Sequence, residues 1–160
     1  MFLSFHRGAP AVRFLFWLAA LSLDTSLAWG ASWQANVSYG SNMPMDLYVP
    51  DNPQPSPPIV VSLHYCGGSK GNAQPWFKSY ADMYGFTIIT PQAGGNCFDA
   101  TAAKGGERAD IVAMVEYVIM NHNGDPNRVY AAGASSGACM AHALLAAYPD
   151  VFAAGSSLAL

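Results

Sequence analysis

Residues 127–150 read NRVYAAGASSGACMAHALLAAYPD. Asn127 to Ala132 is a short apolar run that predicts a strand. Ser136 to Tyr148 is rich in Ala and other small residues, which favours a helix packed closely on a sheet. Between them stands Gly133-Ala134-Ser135-Ser136-Gly137, a G-x-S-x-G pentapeptide. The bare string is a weak signal, since such motifs arise by chance. Its place between a strand and a helix gives it a mechanism, because a nucleophile elbow reverses the chain there within a few residues. Side chains at Gly133 or Gly137 would collide with neighbouring backbone. Ser135 Oγ would stand clear of the sheet above a helix N-terminus, and the Ser136 N–H would point where an oxyanion forms. The competing reading is an ordinary Gly-rich turn from strand to helix.

The segments upstream repeat the alternation. Trp33 to Val49 suggests two short strands with a hairpin around Gly40-Ser41-Asn42. Asp51 to Pro58 is a Pro-rich loop. Ile59 to Leu63 (IVVSL) is a β-branched run that predicts a buried strand, and Gly67 to Gly71 a loop. Gln74 to Tyr84 is helical in composition, with Pro75 in the first turn and a stop at Gly85. Phe86 to Thr90 (FTIIT) is a second buried strand, followed by a loop from Ala93 to Gly106. Arg108 to His122 is a helix with Ile111, Val115, Val118 and Ile119 on one face, ended by Asn123-Gly124. Asp150 to Leu160 turns into a further strand. Strands alternating with helices predict an α/β fold built on a parallel sheet.

Composition narrows the function classes. The chain has 160 residues, 52% of them apolar and only 11% charged, which excludes a disordered charged segment. A net charge of -3 shows no basic excess for nucleic acid. No apolar run reaches the roughly 18 residues of a spanning helix. No Cys/His cluster has zinc spacing and no phosphate loop is present, so neither a metal nor an organic cofactor is implied. Residues 1–30 read as an export signal: His6, Arg7 and Arg13 precede the apolar Phe14 to Leu23, and small residues offer cleavage after Ala28 or Gly30. A core helix or a membrane anchor is the alternative. Removal of this segment leaves residues 31–160 with a net charge of -4. Export makes disulfides available and Asn36-Val37-Ser38 a usable glycosylation sequon.

Loop chemistry agrees with the elbow. His64-Tyr65-Cys66-Gly67-Gly68 follows the first buried strand, where a Gly-rich loop can present a second oxyanion N–H. At this point four blocks resemble the secreted carbohydrate esterases of family 1, which include acetylxylan esterases, feruloyl esterases and polyhydroxybutyrate-depolymerase-like enzymes. The blocks are PPIVVSLHYCGGSKG (57–71), ADMYGFTIITPQAGGNCFDA (81–100), GGERADIVAMVEYV (105–118) and GDPNRVYAAGASSGACMAHALLAAYPDVFAAGSS (124–157). Within the group the text is most similar to fungal acetylxylan esterases.

The resemblance implies an α/β-hydrolase fold with Ser135 as nucleophile and the N–H groups of Ser136 and Cys66 as oxyanion donors. Many relatives carry Gly at Tyr65, so a Tyr there either lines the acyl pocket or caps the strand. Relatives often have Trp at Phe98, a change that keeps a packing role. The equivalent of His64 is structural in relatives. Cys66 and Cys97 lie in loops at the same end of the sheet and are expected to form a disulfide, the alternative being two buried free thiols. Cys139 is expected to be a packed thiol, or to pair with a cysteine beyond residue 160.

A serine hydrolase also needs a base and an acid, in this fold in the order Ser, acid, His. After Ser135 the chain holds only His142 and Asp150, in the opposite order. His142 would sit about seven residues along a helix, roughly 10 Å from its start, too far for a base that must reach about 3 Å. It reads as a packing or surface residue, and His122 as a solvated helix cap. By resemblance, relatives run on for roughly another hundred residues that carry the triad Asp and His. The expectation is therefore the N-terminal part of a secreted, monomeric serine carboxylesterase that removes acetyl groups from xylan, with no nucleic-acid or membrane partner. Feruloyl esterase is the alternative of the same class. An inert truncated product or a carbohydrate-binding remnant is the alternative of another class.

Overall fold

The computed structural model describes residues 30–101 and 105–158. The export signal expected over residues 1–30 lies almost wholly outside the described residues. Ten elements follow one another: β1 (Ser32–Gln34), β2 (Met45–Val49), β3 (Ile59–Leu63), α1 (Lys70–Ala73), α2 (Pro75–Tyr84), β4 (Thr87–Pro91), α3 (Glu107–His122), β5 (Val129–Ala134), α4 (Ser136–Ala147) and β6 (Ala154–Leu158). The strands form a single sheet in the order β1-β2-β4-β3-β5-β6.

The β-branched run at Ile59–Leu63 takes the centre, paired parallel to β4 on one side and to β5 on the other. A strand buried on both faces reads as a near-continuous apolar run, and this one does. The sheet is not wholly parallel. β2 pairs antiparallel with β4, and β1 antiparallel with β2. The two strands expected between Trp33 and Val49 do form and pair, yet they are joined by the long loop 35–44 rather than a tight hairpin at Gly40. The Gly67–Gly71 segment was expected to be loop throughout, but α1 begins at Lys70 inside it, after the capping box of Ser69 and Asn72.

Alternation of side chains divides the core. Leu47 and Ile89 face a large cluster with Ile111, Met114, Val115 and Val118 of α3 and Met140 and Leu144 of α4. Their neighbours Tyr48 and Ile88 face the other way, onto Ala81 and Phe77 of α2. So α2 covers one face of the sheet while α3 and α4 cover the other. Gly85 ends α2 in the left-handed conformation at φ 71°, where a Cβ would also meet the Asn52 carbonyl oxygen at 2.8 Å. Asn123 ends α3 in the same conformation at φ 54°.

The connections place the site. From β3 the chain crosses to β4 on one side, and the next crossover brings β5 to the other side. The strand order therefore reverses at β3. A crevice opens at the carboxyl ends of β3 and β5, the usual place for a ligand in such a sheet. Among the described residues β6 pairs only with β5. The strand is made of Ala154, Gly155, Ser156, Ser157 and Leu158, all exposed.

Candidate active site

Ser135 joins β5 to α4 at φ 52° and ψ −115°, a conformation that a non-glycine residue holds only when its surroundings impose it. Two glycines impose it. A Cβ on Gly133 would lie 2.5 Å from the Gly137 carbonyl carbon, and a Cβ on Gly137 would lie 2.2 Å from the Leu63 carbonyl oxygen. The first turn of α4 thus presses on the ends of both β5 and β3. The Ser135 N–H donates to the Leu158 carbonyl at 3.0 Å, and the Cys139 N–H to the Ser135 carbonyl at 3.1 Å. Held from both sides, Ser135 is half-buried at the positive end of a 12-residue helix. Ser136 is the first residue of α4, so its N–H has no acceptor within the helix.

The loop after β3 faces the elbow. His64 is fully buried between two backbone groups. Its Nδ1 lies 2.8 Å from the Tyr65 carbonyl oxygen, and its Nε2 accepts the Ala93 N–H at 3.1 Å. A backbone N–H can only donate, so Nε2 is the acceptor and Nδ1 carries the proton. The ring packs on Phe98 with centroids 4.6 Å apart, the packing role expected for Phe98. Cys66 and Cys97 are joined in a disulfide, as expected, and the Gly67 N–H donates to the Asn96 carbonyl at 2.7 Å. The two loops are thereby fastened covalently and by hydrogen bonds.

A cavity of about 520 Å³ opens between the elbow and this loop. Ser135, Ser136 and Cys66 line it, together with Ala138, Cys139 and His142 of α4 and Ser157 of β6. Its size is within the range of pockets that enclose small organic molecules. The three residues singled out for nucleophile and oxyanion chemistry therefore meet around one space.

Tyr65 is not among the residues lining the cavity, and its ring stacks against Trp76 with centroids 6.5 Å apart. Two expectations need correction. Cys139 is not packed. It is an exposed free thiol on the cavity wall, one turn beyond Ser135. His122 is half-buried against Tyr117, and burial lowers the pKa of its imidazole. His142 is exposed, as expected of a surface residue, and also borders the cavity two turns along α4. Asn36 of the sequon is exposed and holds a positive φ of 52°.

Several residues that shape the site carry no motif. Glu107, at the start of α3, accepts the Gly94 N–H at 2.6 Å and the Asp99 N–H at 2.7 Å, pinning the loop that bears Cys97. Buried Asp46 of β2 pairs with Lys70, accepts from Gln74 at 2.7 Å and accepts the Asn36 N–H at 2.9 Å. An acidic residue just inside a helix is a legible signal. The Asp46 hub is not, since its partners lie 10, 24 and 28 residues away.

Sheet order, crossovers, the strained serine and the facing Gly-rich loop define the α/β-hydrolase class. Within that class the chain belongs to the Esterase PHB depolymerase family, which it matches over residues 43–159. It is 44% identical over 142 residues to feruloyl esterase B of Thermothelomyces thermophilus, covering 79% of this chain and 48% of that protein. It is 37% identical over 132 residues to acetylxylan esterase A of Emericella nidulans, covering 74% and 42%. Among solved structures, acetyl xylan esterase from Aspergillus awamori superposes with a TM-score of 0.72 at 32% identity, covering 80% of this chain and 53% of that one. The chain spans about half the length of these relatives.

Proposed function

We propose that this chain carries the nucleophile half of a secreted serine carboxylesterase that releases acyl groups from xylan. The observation that carries the reading is Ser135, held at φ 52° on the N-terminus of α4, with Ser136 and Cys66 lining the same cavity. Ser135 Oγ attacks the ester carbonyl carbon. The carbonyl oxygen becomes an oxyanion that accepts hydrogen bonds from the Ser136 and Cys66 N–H groups. Collapse expels the sugar hydroxyl and leaves an acyl-serine, which water then hydrolyses to free the acid.

The base must come from elsewhere. Among the described histidines, His64 is committed to Tyr65 and Ala93, while His142 stands about 9 Å along α4 at 1.5 Å per residue. The proposal takes the base and its orienting acid from sequence that the relatives have and these 160 residues do not span. The protein acts as a monomer, needs no metal or organic cofactor, and carries glycan at Asn36. It works outside the cell, where the Cys66–Cys97 disulfide persists.

Acetyl removal is the first reading of the acyl group. Feruloyl removal is the second. It is favoured by the higher identity to feruloyl esterase B. The test compares kcat/KM of the whole protein on acetylated xylan and on methyl ferulate. A higher value on acetylated xylan supports acetyl removal, and a higher value on ferulate replaces it with the second reading. No turnover of either, with no loss to explain on Ser135→Ala, leaves the inert or carbohydrate-binding alternative.

A further inference from the structure

We infer that Gln92 is a positioning residue for the oxyanion site: its side-chain amide bridges α1 to His64 and, through His64, sets the direction of the Tyr65–Cys66 peptide. The inference rests on the proposed role of the Cys66 N–H.

The hydrogen-bond pattern allows one arrangement of donors. Gln92 Oε1 accepts the Lys70 N–H at 3.0 Å. Because that backbone group can only donate, the amide oxygen must face Lys70 and the NH2 must face the other way. There Gln92 Nε2 lies 3.3 Å from His64 Nε2 and 3.4 Å from the Ala93 carbonyl oxygen. His64 Nε2 therefore meets two donors, the Gln92 NH2 and the Ala93 N–H, and holds no proton of its own. The single proton of the neutral ring sits on Nδ1 and is donated to the Tyr65 carbonyl at 2.8 Å.

That carbonyl belongs to the same planar peptide as the Cys66 N–H. In a trans peptide the C=O and N–H point in opposite directions. Fixing one end aims the other. The Gly68 N–H also donates to the Tyr65 oxygen, at 2.9 Å, so the carbonyl is gripped from two sides. Its polarisation makes the Cys66 N–H a better donor. Gln92 itself is anchored, since its N–H donates to the Pro44 carbonyl at 2.8 Å. Lys70 is anchored by the buried carboxylate of Asp46. The result is a continuous line from β2, through α1 and the end of β4, to the donor beside Ser135. Gln92 is its crossing point and is not among the residues lining the cavity.

The test uses Gln92→Glu and Gln92→Met in the whole protein. Glutamate keeps an acceptor for Lys70 but turns a second acceptor toward His64 Nε2. Methionine has similar length and offers neither group. Long-range proton–nitrogen spectra of histidine-labelled protein read which ring nitrogen of His64 carries the proton, and the Cys66 amide shift reads the peptide. The expected result for wild type is the Nδ1–H tautomer. In Gln92→Glu the carboxylate competes with the Ala93 N–H at Nε2, a proton appears on Nε2 as the Ala93 hydrogen bond is lost, the Cys66 amide shifts, and kcat falls at least about tenfold with KM nearly unchanged. Loss of a whole oxyanion donor costs about 100-fold to 1,000-fold. Gln92→Met, which removes the bridge without reversing it, shows a smaller fall of the same kind. An unchanged tautomer in Gln92→Glu overturns the inference whatever the activity does, as does a moved proton with unchanged kcat. If wild type hydrolyses no ester, the esterase reading fails by itself, and the tautomer and Cys66 shift still decide whether Gln92 orients the peptide. If Gln92→Glu does not fold, the Cys66 shift in Gln92→Met decides, and no shift there overturns the inference.

Discussion

Gly137 lies against the end of β3 so closely that a Cβ would stand 2.2 Å from the Leu63 carbonyl oxygen and 2.6 Å from that of His64. Both contacts are to backbone, which cannot rotate away as a side chain can. Gly137→Ala is therefore expected to force α4 off the sheet and to cost more than about 3 kcal/mol. Urea unfolding monitored by circular dichroism checks this. A loss below about 1 kcal/mol would mean that the elbow has room to relax.

The conformation of Ser135 makes a prediction of opposite sign. A non-glycine residue at φ 52°, ψ −115° stores strain of about 1–3 kcal/mol. Glycine relieves it but adds about 0.4–1 kcal/mol of unfolded-chain entropy. Ser135→Gly is thus expected to raise stability by about 1 kcal/mol while abolishing ester hydrolysis. Thermal unfolding and an activity assay on the same sample read both effects. A stabilised, inactive variant is the mark of strain kept for function.

The Cys66–Cys97 bond closes a loop with a sequence separation of 31. On the chain-entropy account such a crosslink contributes about 3–4 kcal/mol. Cys97→Ala is expected to lose much of that and to lower kcat, because Cys66 is then held only by neighbouring hydrogen bonds. The urea midpoint with and without reductant should move in wild type and stay fixed in Cys97→Ala.

Asp125 governs part of the acid limb of stability. The Arg128 guanidinium, 2.6 Å away, and then the Asn127 N–H hold its carboxyl below the ordinary value of 3.8. Because the unfolded chain takes up this proton more readily, stability is fully present above about pH 4 and is lost as pH falls through the lowered folded value. Asp125→Asn should flatten the portion of a stability profile that falls below the ordinary carboxylate value. A profile that keeps its full slope would assign the loss to other carboxylates.

Arg108 offers a place to gain stability. It is only 6% exposed in the first turn of α3, and its Nε and Nη2 have no hydrogen-bond partner among the described residues. A cation there also opposes the helix dipole. Arg108→Met removes the desolvation cost and keeps most of the packing, with an expected gain of about 1–3 kcal/mol. A rise in melting temperature checks it, and a fall would show that the guanidinium has a partner in the whole protein.

How much of this was legible in the residues follows from the range of each interaction. Asn127 to Tyr148 declares strand, sharp turn and helix because propensity, glycine sterics and helical spacing act over a few residues. The β-branched run at Ile59–Leu63 declares a central strand for the same reason, and β4 and α3 are legible to within one residue at most ends. The direction of β1 and β2 is not written in their own residues. It depends on which edge of the sheet is free to accept them, and β4 supplies an antiparallel edge.

Side-chain destinations divide along the same line. That Ser135 would occupy a strained turn follows from its flanking glycines. That Tyr65 would stack on Trp76, that Cys139 and His142 would border the cavity, and that Asp46, Lys70, Gln92 and His64 would form one line could not be read. Most of these depend on partners far apart in the chain, such as His64 and Gln92, 28 residues apart, or Cys66 and His142 around one cavity. Local chemistry alone therefore determined most of the elements and the candidate nucleophile of this protein. Only the packed sheet, by juxtaposing the ends of β3, β4 and β5, decided what surrounds that nucleophile.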